Sequence, residues 1–194
     1  MRMEKAEKAR ESIIGAATAL IADGKGDIEG ITVRAIAEKA GVGVGLVNYH
    51  FQTKENLVEI CVQRMVSDVI SAFRPDGGQS VGMGRLVDTA VQVFDFLFEN
   101  PSVSRISILG DLSSPGENDN TAKTVMGFES AMPVSGPTDA EKRTLSFALT
   151  SAMQCAFLRR GECRALLGCD LNIKEERAVF IRRLIGALYG GTGR

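Results

Sequence analysis

Apolar residues recur at helical spacing over most of the chain, and stretches rich in Pro and Gly separate these periodic segments. The pattern predicts an all-α fold of about nine helices with no strand. Two short helices are expected between residues 31 and 52, and the longer ones at 4–22, 53–73, 83–99, 101–112, 121–132, 138–160 and 173–189. The breaker cluster at 74–78 ends helix 53–73. We therefore predict a domain at 1–52, helix 53–73 as a connector, and a larger helical domain at 75–194.

The most specific pattern runs from residue 31 to residue 57, ITVRAIAEKAGVGVGLVNYHFQTKENL. Thr32 is an expected N-cap for a first short helix, and Gly41 supplies the left-handed conformation that ends it. A second helix of about two turns follows at 43–50, and Thr53 is expected to cap the next. Two short helices around a glycine turn predict a helix-turn-helix. The alternative is an ordinary packing hairpin.

The same run resembles the DNA-binding domain of TetR-family transcriptional regulators, with the pattern T-x-x-x-I-A-x-x-A-G-V-S-x-x-x-L-Y-x-H-F-x-x-K-E-x-L. The residues that fit the pattern are Thr32, Ile36, Ala37, Ala40, Gly41, Val42, Tyr49, His50, Phe51, Lys54, Glu55 and Leu57. Gly43, Val47 and Asn48 depart from it, standing where the family usually has Ser, Leu and Tyr. The resemblance implies a ligand-responsive transcription regulator, most often a repressor, that binds double-stranded DNA.

Site residues follow from the resemblance. Arg34 is expected to reach a base edge or a phosphate, and the end of the second helix to touch sugar-phosphate and thymine methyl groups. The DNA-binding set is Thr32, Arg34, Val44, Gly45, Leu46, Asn48, Tyr49, His50 and Lys54. The segment 44–46 is apolar, so it offers few hydrogen bonds to bases. Tyr49 has the alternative role of packing inside the hairpin.

Charge does not by itself indicate a nucleic-acid partner, because the net charge is −1. Residues 1–74 hold ten Lys and Arg against ten Asp and Glu. Positive charge at a DNA interface must therefore be local. The candidates are Lys5, Lys8, Arg10, Arg34, Lys39 and Lys54. Lys54 is expected to anchor a phosphate, since it begins a helix whose free N–H groups also attract anions.

The C-terminal region lacks a catalytic motif, so an enzyme is not expected, and no cofactor or metal is predicted. The resemblance implies a pocket there for a small, often apolar effector, with Phe94, Phe98, Met126, Phe128, Met153 and Phe157 as lining residues. Plain core packing is the alternative for each of them. Helix 138–160 is apolar nearly all round, which predicts a homodimer built on it and on helix 173–189. Two-fold symmetry makes a palindromic operator the expected target.

The four cysteines form no C-x-x-C pair, so a zinc site is not expected. Cys61 and Cys155 lie in apolar runs and are predicted to be core residues, whereas Cys163 and Cys169 lie near a helix end and a loop. A thiol switch at the last two supports a rival class, a helical enzyme or redox protein. Another rival is a DNA-binding protein that acts through protein partners without an effector.

The N-terminus is charged and lacks the apolar core of a signal peptide. The chain has no apolar run of the roughly 20 residues that a membrane span needs. The expectation is a cytoplasmic protein with no membrane partner.

Overall fold

A computed structural model describes residues 2–24, 28–72, 82–134 and 136–189. These residues form ten helices and no strand, which confirms the all-α prediction. The helices are α1 (Arg2–Asp23), α2 (Val33–Ala40), α3 (Val44–Phe51), α4 (Lys54–Ala72), α5 (Met83–Glu99), α6 (Pro101–Ser113), α7 (Asn120–Ala131), α8 (Asp139–Leu158), α9 (Cys163–Leu167) and α10 (Lys174–Tyr189). The predicted breaker cluster at 74–78 lies outside the described residues.

The helix beyond the nine expected is α9, which has five residues. Such a segment is too short for a hydrophobic period to be recognised. It ends at Gly168, whose φ of 68° is left-handed.

The chain divides into two compact units, and unit 1 comprises residues 1–69 and 100–113. In its core α1 packs against α2 and α3, and the fully buried side chains include Ile13, Ile21, Ile36, Phe51 and Leu57. Helix α6 belongs to unit 1, whereas α5, which precedes it in the chain, belongs to unit 2. Each unit is therefore built from two separate stretches of the sequence. A functional division at 1–52 and 75–194 remains a prediction.

Polar contacts fasten α4 to α1 and to α6 within unit 1. Arg64 on α4 holds Glu11 on α1 with two hydrogen bonds of 2.6 and 2.9 Å. This bidentate pairing lowers the pKa of the Glu11 carboxyl. Gln63, also on α4, donates its amide to the Asp111 carboxylate of α6 at 2.8 Å. The middle of α4 is thus linked by hydrogen bonds to both α1 and α6.

Unit 2 comprises residues 70–99 and 114–194. Here α7 packs on α8, and α5 packs on α7, α8 and α10. The start of α8 is fixed by a capping box, in which the Thr138 N–H donates to the Glu141 carboxylate at 2.7 Å and the Thr138 hydroxyl accepts from the Glu141 N–H at 3.3 Å. Two N-terminal donors are therefore satisfied before the long apolar stretch of α8 begins.

A buried ion pair ties α5 to α10 inside unit 2. Arg177 Nε donates to Asp95 Oδ1 at 2.6 Å, and the two residues keep 6% and 7% of their surface exposed. Arg177 Nη1 also donates to the carbonyls of Leu171 and Asn172 at 3.1 and 3.2 Å. The guanidinium lies 4.8 Å from the centroid of the Phe98 ring. One side chain thus holds α5, α10 and the turn before α10 together.

None of the helices in the described ranges combines the length and apolar character that crossing a membrane requires.

Candidate nucleic-acid interface

The sequence defines both ends of α2 locally. The Thr32 hydroxyl accepts a hydrogen bond from the Ala35 N–H at 3.1 Å, so the predicted N-cap is present. At the other end Gly41 has φ 69° and ψ 32°, and the N–H groups of Gly41 and Val42 donate to the carbonyls of Glu38 and Ala37. This paired arrangement is a Schellman motif, which needs a left-handed residue at the position of Gly41. The predicted glycine turn therefore has its expected geometry.

Helix α3 buries one face and exposes the other. Val47 and Phe51 keep 2% and 1% of their surface and anchor the helix in unit 1. The outer face consists of Val44, Gly45, Leu46, Asn48 and Tyr49, all of them exposed. Tyr49 is exposed by 78%, so its ring is not hairpin core in this chain. A surface helix with this many uncovered apolar groups is suited to contact with a partner.

Gly45 on the outer face of α3 and His50 beside that face have particular surroundings. A Cβ added at Gly45 would meet no atom within 4 Å, so internal packing does not require glycine there. His50 is half-buried, and its Nε2 is buried with no hydrogen-bond partner within the described ranges. The centroid of its ring lies 5.2 Å from that of Tyr49 in a T-shaped contact and 6.0 Å from that of Phe51 in a tilted one. His50 therefore supports the Tyr49 ring as well as lying at the predicted interface.

A tight turn at Gln52 joins α3 to α4. Gln52 has φ 64° and ψ −53°, and the Thr53 N–H donates to the Phe51 carbonyl at 2.7 Å. This is a γ-turn with positive φ, a strained conformation for a residue with a side chain. Asn56 stabilises it by donating its amide to the same carbonyl at 3.0 Å. The turn at Gln52 and the hydrogen bond from Asn56 thus set the direction in which α3 leads into α4.

Replacing Gln52 with glycine should raise the free energy of unfolding by about 0.5–1 kcal/mol. A strained residue of this kind costs about 1–3 kcal/mol, and the added chain entropy of glycine removes part of the gain. Gln52→Ala is the matched control, because it also removes the exposed side chain but keeps the strain. Urea denaturation of the three proteins measures the difference. A glycine variant no more stable than the alanine variant would show that the turn is not strained.

The candidate cations have different environments. Lys54 Nζ is half-buried and donates to the carbonyls of Ile31 and Ile28 at 3.1 and 3.5 Å, so the ammonium supports the loop before α2. Lys39 pairs with Asp23 at 3.4 Å. Two of the three N–H groups of the Lys54 ammonium therefore bind the loop, and one remains for a phosphate.

Arg10 is turned toward the protein, since its guanidinium lies 5.6 Å from the Phe51 ring centroid and near two glutamates on α1. Lys8 and Arg34 are exposed, and neither has an ion-pair partner in the part of the chain that the structure describes. The side chain of Lys5 lies outside that part. Among the candidate cations whose side chains the structure describes, Lys8 and Arg34 are therefore the ones most available to a phosphate backbone.

Most of the residues predicted to line an effector pocket are buried in unit 2, whereas Phe98 is half-buried and one residue is exposed. Phe94, Phe98 and Phe157 form an aromatic cluster with ring centroids 5.1 and 5.4 Å apart. Phe180, which the sequence did not single out, joins it 5.6 Å from Phe94. Phe128 and Met153 are buried, whereas Met126 is 61% exposed. The cluster is consistent with the core-packing alternative, and Met126 lies on the surface.

The cysteines correct one prediction and weaken one alternative. Cys61 is buried as expected, but Cys155 is exposed on α8, so placing it in the core was wrong. The apolar residues around it in sequence do not cover that side of the helix. Cys163 and Cys169 are buried, and burial raises the pKa of both thiols. A raised pKa favours the protonated, less reactive form of both thiols, which weakens the case for a thiol switch.

Comparison with known proteins agrees with this geometry. Residues 13–61, which contain most of α1, the two short helices and the start of α4, match the family model described as bacterial regulatory proteins, tetR family. No protein of curated function matches the chain.

Solved structures share the fold over nearly the whole length. A TetR transcriptional regulator from Rhodococcus sp. RHA1 is 18% identical, with 97% of this chain and 98% of that chain covered and a TM-score of 0.55. A putative TetR-family regulator from Mesorhizobium loti MAFF303099 is 24% identical, with 95% and 96% covered and a TM-score of 0.54. A TetR-family regulator from Streptomyces coelicolor is 21% identical, with 94% and 79% covered and a TM-score of 0.53.

An all-α fold with this capped hairpin and an exposed face on its second helix defines a DNA-binding transcription regulator of the helix-turn-helix class. Residues 13–61 match the DNA-binding region of the tetR family of bacterial regulatory proteins, and the whole chain shares the fold of solved TetR-family regulators.

Proposed function

We propose that this protein is a sequence-specific repressor that binds a palindromic operator as a homodimer and is released by a small, apolar effector bound in its C-terminal helical region. The observation that carries the DNA-binding part is the exposed outer face of α3, with Tyr49 78% exposed. No catalytic activity is proposed, and the cytoplasm, where DNA is accessible, is the proposed location.

On DNA, α3 occupies the major groove. Val44 and Leu46 pack against thymine methyl groups, and the Asn48 amide pairs with an adenine edge. Gly45 permits close approach of the helix to the bases. Tyr49 contacts sugar-phosphate at the end of α3. His50 positions that ring, and Thr32 and Lys54 hold the two ends of the hairpin near the sugar-phosphate backbone of the DNA.

Arg34 provides a test of the phosphate contacts. If it neutralises one phosphate, Arg34→Ala should flatten the plot of log affinity against log salt by roughly 0.9. The matched control is Lys39→Ala, because Lys39 is also on α2 but is paired with Asp23. Fluorescence anisotropy on the DNA upstream of the protein's own gene, with random DNA as competitor, measures both affinity and slope. Absence of any preference for upstream DNA would argue against an operator there, and identical slopes would exclude the phosphate role.

The homodimer rests on uncovered apolar groups of α8 and α10. Phe147 on α8 is 60% exposed and Val179 on α10 is 41% exposed, and Cys155 and Gly186 are also exposed. Pairing these helices with their copies would form a four-helix arrangement that buries such groups. Two recognition helices would then meet successive major grooves about 34–36 Å apart, or a multiple of that distance. Sedimentation should give a dimer at micromolar concentration, and a stable monomer would contradict the proposal.

The effector acts only if it binds better to a conformation that fits the operator poorly. Helix α4 is the proposed lever, because it begins directly after the turn that follows α3 and continues to Ala72. A coupling of about 1–3 kcal/mol changes affinity by roughly 5–150-fold, and it must be reciprocal. Once an effector is found, calorimetric titration with and without operator tests this. Equal affinities would favour the rival in which the protein acts through partners without an effector.

A further inference from the structure

Unit 1 contains an open groove of about 640 Å³ on the helices that support the recognition hairpin. Its walls are the loop between α1 and α2, the first half of α4 and the second half of α6, all of which belong to this unit. Pockets for small molecules range from about 300 to 1,000 Å³, so the groove has the size of a ligand site. All of its lining residues belong to unit 1, whereas the residues of the aromatic cluster belong to unit 2.

The walls of the groove are largely apolar. Ile28, Val58, Ile106 and Leu109 face it, and Leu109 is 41% exposed although it is an aliphatic side chain. An apolar occupant would remove these surfaces from water, which is favourable by about 25 cal/mol for each Å² that becomes buried.

Two carboxylates give the groove its charge. Glu55 and Glu59 both line it from α4, where a spacing of four residues places them on the same side of the helix. Neither has an ion-pair partner among the described residues. Glu29 also lines the groove but has an interaction of its own. The cation in the lining, Lys54, is bound to the carbonyls of Ile28 and Ile31.

Gly110 on α6 makes room for one of these carboxylates. A Cβ at this position would lie 2.7 Å from Glu59 Oε1 and 3.0 Å from the Gln63 amide nitrogen. The Glu59 carboxylate therefore lies against the α6 backbone at a point where a larger residue would displace it. It is half-buried, so water screens its charge less than that of a fully exposed group.

We propose that this groove is a second small-molecule site, selective for an amphipathic cation whose apolar part lies against Val58, Ile106 and Leu109 and whose positive group pairs with Glu59 and Glu55. A neutral molecule of the same shape gains the apolar contact but leaves the carboxylates without a counter-charge. An anion is repelled by them. The site goes beyond the proposed function, because it does not depend on an operator or on the effector of the C-terminal region.

A series of probes with one chain length tests the selectivity. Octylammonium, octanol and octanoate share an eight-carbon chain and differ in the charge of the head group. Calorimetry on the full-length protein at neutral pH, below micelle-forming concentrations, should show octylammonium binding about fivefold tighter than octanol, with octanoate weakest. Equal binding of octylammonium and octanol would overturn the proposal, because it would indicate an apolar patch without charge selection.

Variants then locate the bound cation. Glu59→Gln keeps the shape of the side chain and should reduce octylammonium affinity about fivefold while leaving octanol unchanged. Gly110→Ala, which displaces Glu59, should act in the same direction. The matched control is Glu117→Gln, since Glu117 is an exposed glutamate of unit 2 outside the groove.

Unchanged octylammonium affinity in Glu59→Gln would place the ligand elsewhere and overturn the proposal. A failure of operator binding in the same preparation would count against the proposed function and not against this site.

Discussion

Replacing Tyr49 with alanine should weaken operator binding roughly tenfold to a hundredfold while leaving the fold intact. The ring is 78% exposed and makes a T-shaped contact with the His50 ring, so its removal leaves no cavity. Surface changes of this kind alter the free energy of unfolding by about 0.5 kcal/mol or less. Large aromatic residues at a partner interface contribute about 1–3 kcal/mol each, and 1.4 kcal/mol corresponds to a factor of ten.

Two further variants make this measurement specific. Tyr49→Phe separates the ring from the hydroxyl, because loss of a single phosphate hydrogen bond should cost less than loss of the ring. Met126→Ala is the control, since Met126 is another exposed apolar residue but belongs to unit 2. Anisotropy titrations with operator DNA give the affinities, and circular dichroism checks helicity. If Tyr49→Ala binds operator as tightly as the parent, α3 does not present this face to DNA.

Removing one partner of the buried ion pair should be the most destabilising change, with Asp95→Ala or Arg177→Ala lowering the free energy of unfolding by about 3–5 kcal/mol. Asp95→Ala leaves the Arg177 guanidinium without its carboxylate, and Arg177→Ala leaves the Asp95 carboxylate with only the exposed Lys174, although both residues of the pair are more than nine-tenths buried. Arg177→Ala also frees the carbonyls of Leu171 and Asn172 and the face of the Phe98 ring. Urea denaturation of the full chain measures the loss.

The double variant Asp95→Leu with Arg177→Met separates charge from packing. If the single losses arise from an unpaired buried charge, the double variant should be more stable than either single alanine variant. Lys174→Ala is the control, because Lys174 reaches the same carboxylate at 3.4 Å but is 63% exposed. Its removal should cost about 1 kcal/mol or less. Equal losses for Lys174→Ala and Arg177→Ala would show that burial does not strengthen this pair.

The predictions that the structure confirmed rest on a few neighbouring residues. The Thr32 cap and the Gly41 turn each depend on hydrogen bonds between positions three to five apart. The burial of Val47 and Phe51 follows from the spacing of one short helix. Such features are visible in sequence because the physical cause and its effect lie within about two helical turns.

Predictions that concerned side chains and their distant neighbours fared less well. The position of Lys54 at a helix N-terminus indicated a phosphate anchor, but its ammonium reaches carbonyls 23 and 26 residues away. Cys155 lies in an apolar run, yet the helix leaves it uncovered. For Cys155 the pattern gave the helix correctly and the surroundings of the side chain wrongly, whereas a phosphate contact of Lys54 remains a prediction. The surroundings of both side chains come from other parts of the chain.

The sequence by itself determined where the helices of the hairpin begin and end and which face of α3 is buried, because local hydrogen bonds and helical spacing decide these. The tertiary structure decided which polar groups meet. Arg177 and Asp95 are 82 positions apart, and their pairing depends on how α5 packs against α10. The groove beside Glu59 exists because α6 brings Gly110 against α4. Contacts of this kind are set by the packing of whole helices, and no local pattern specifies them.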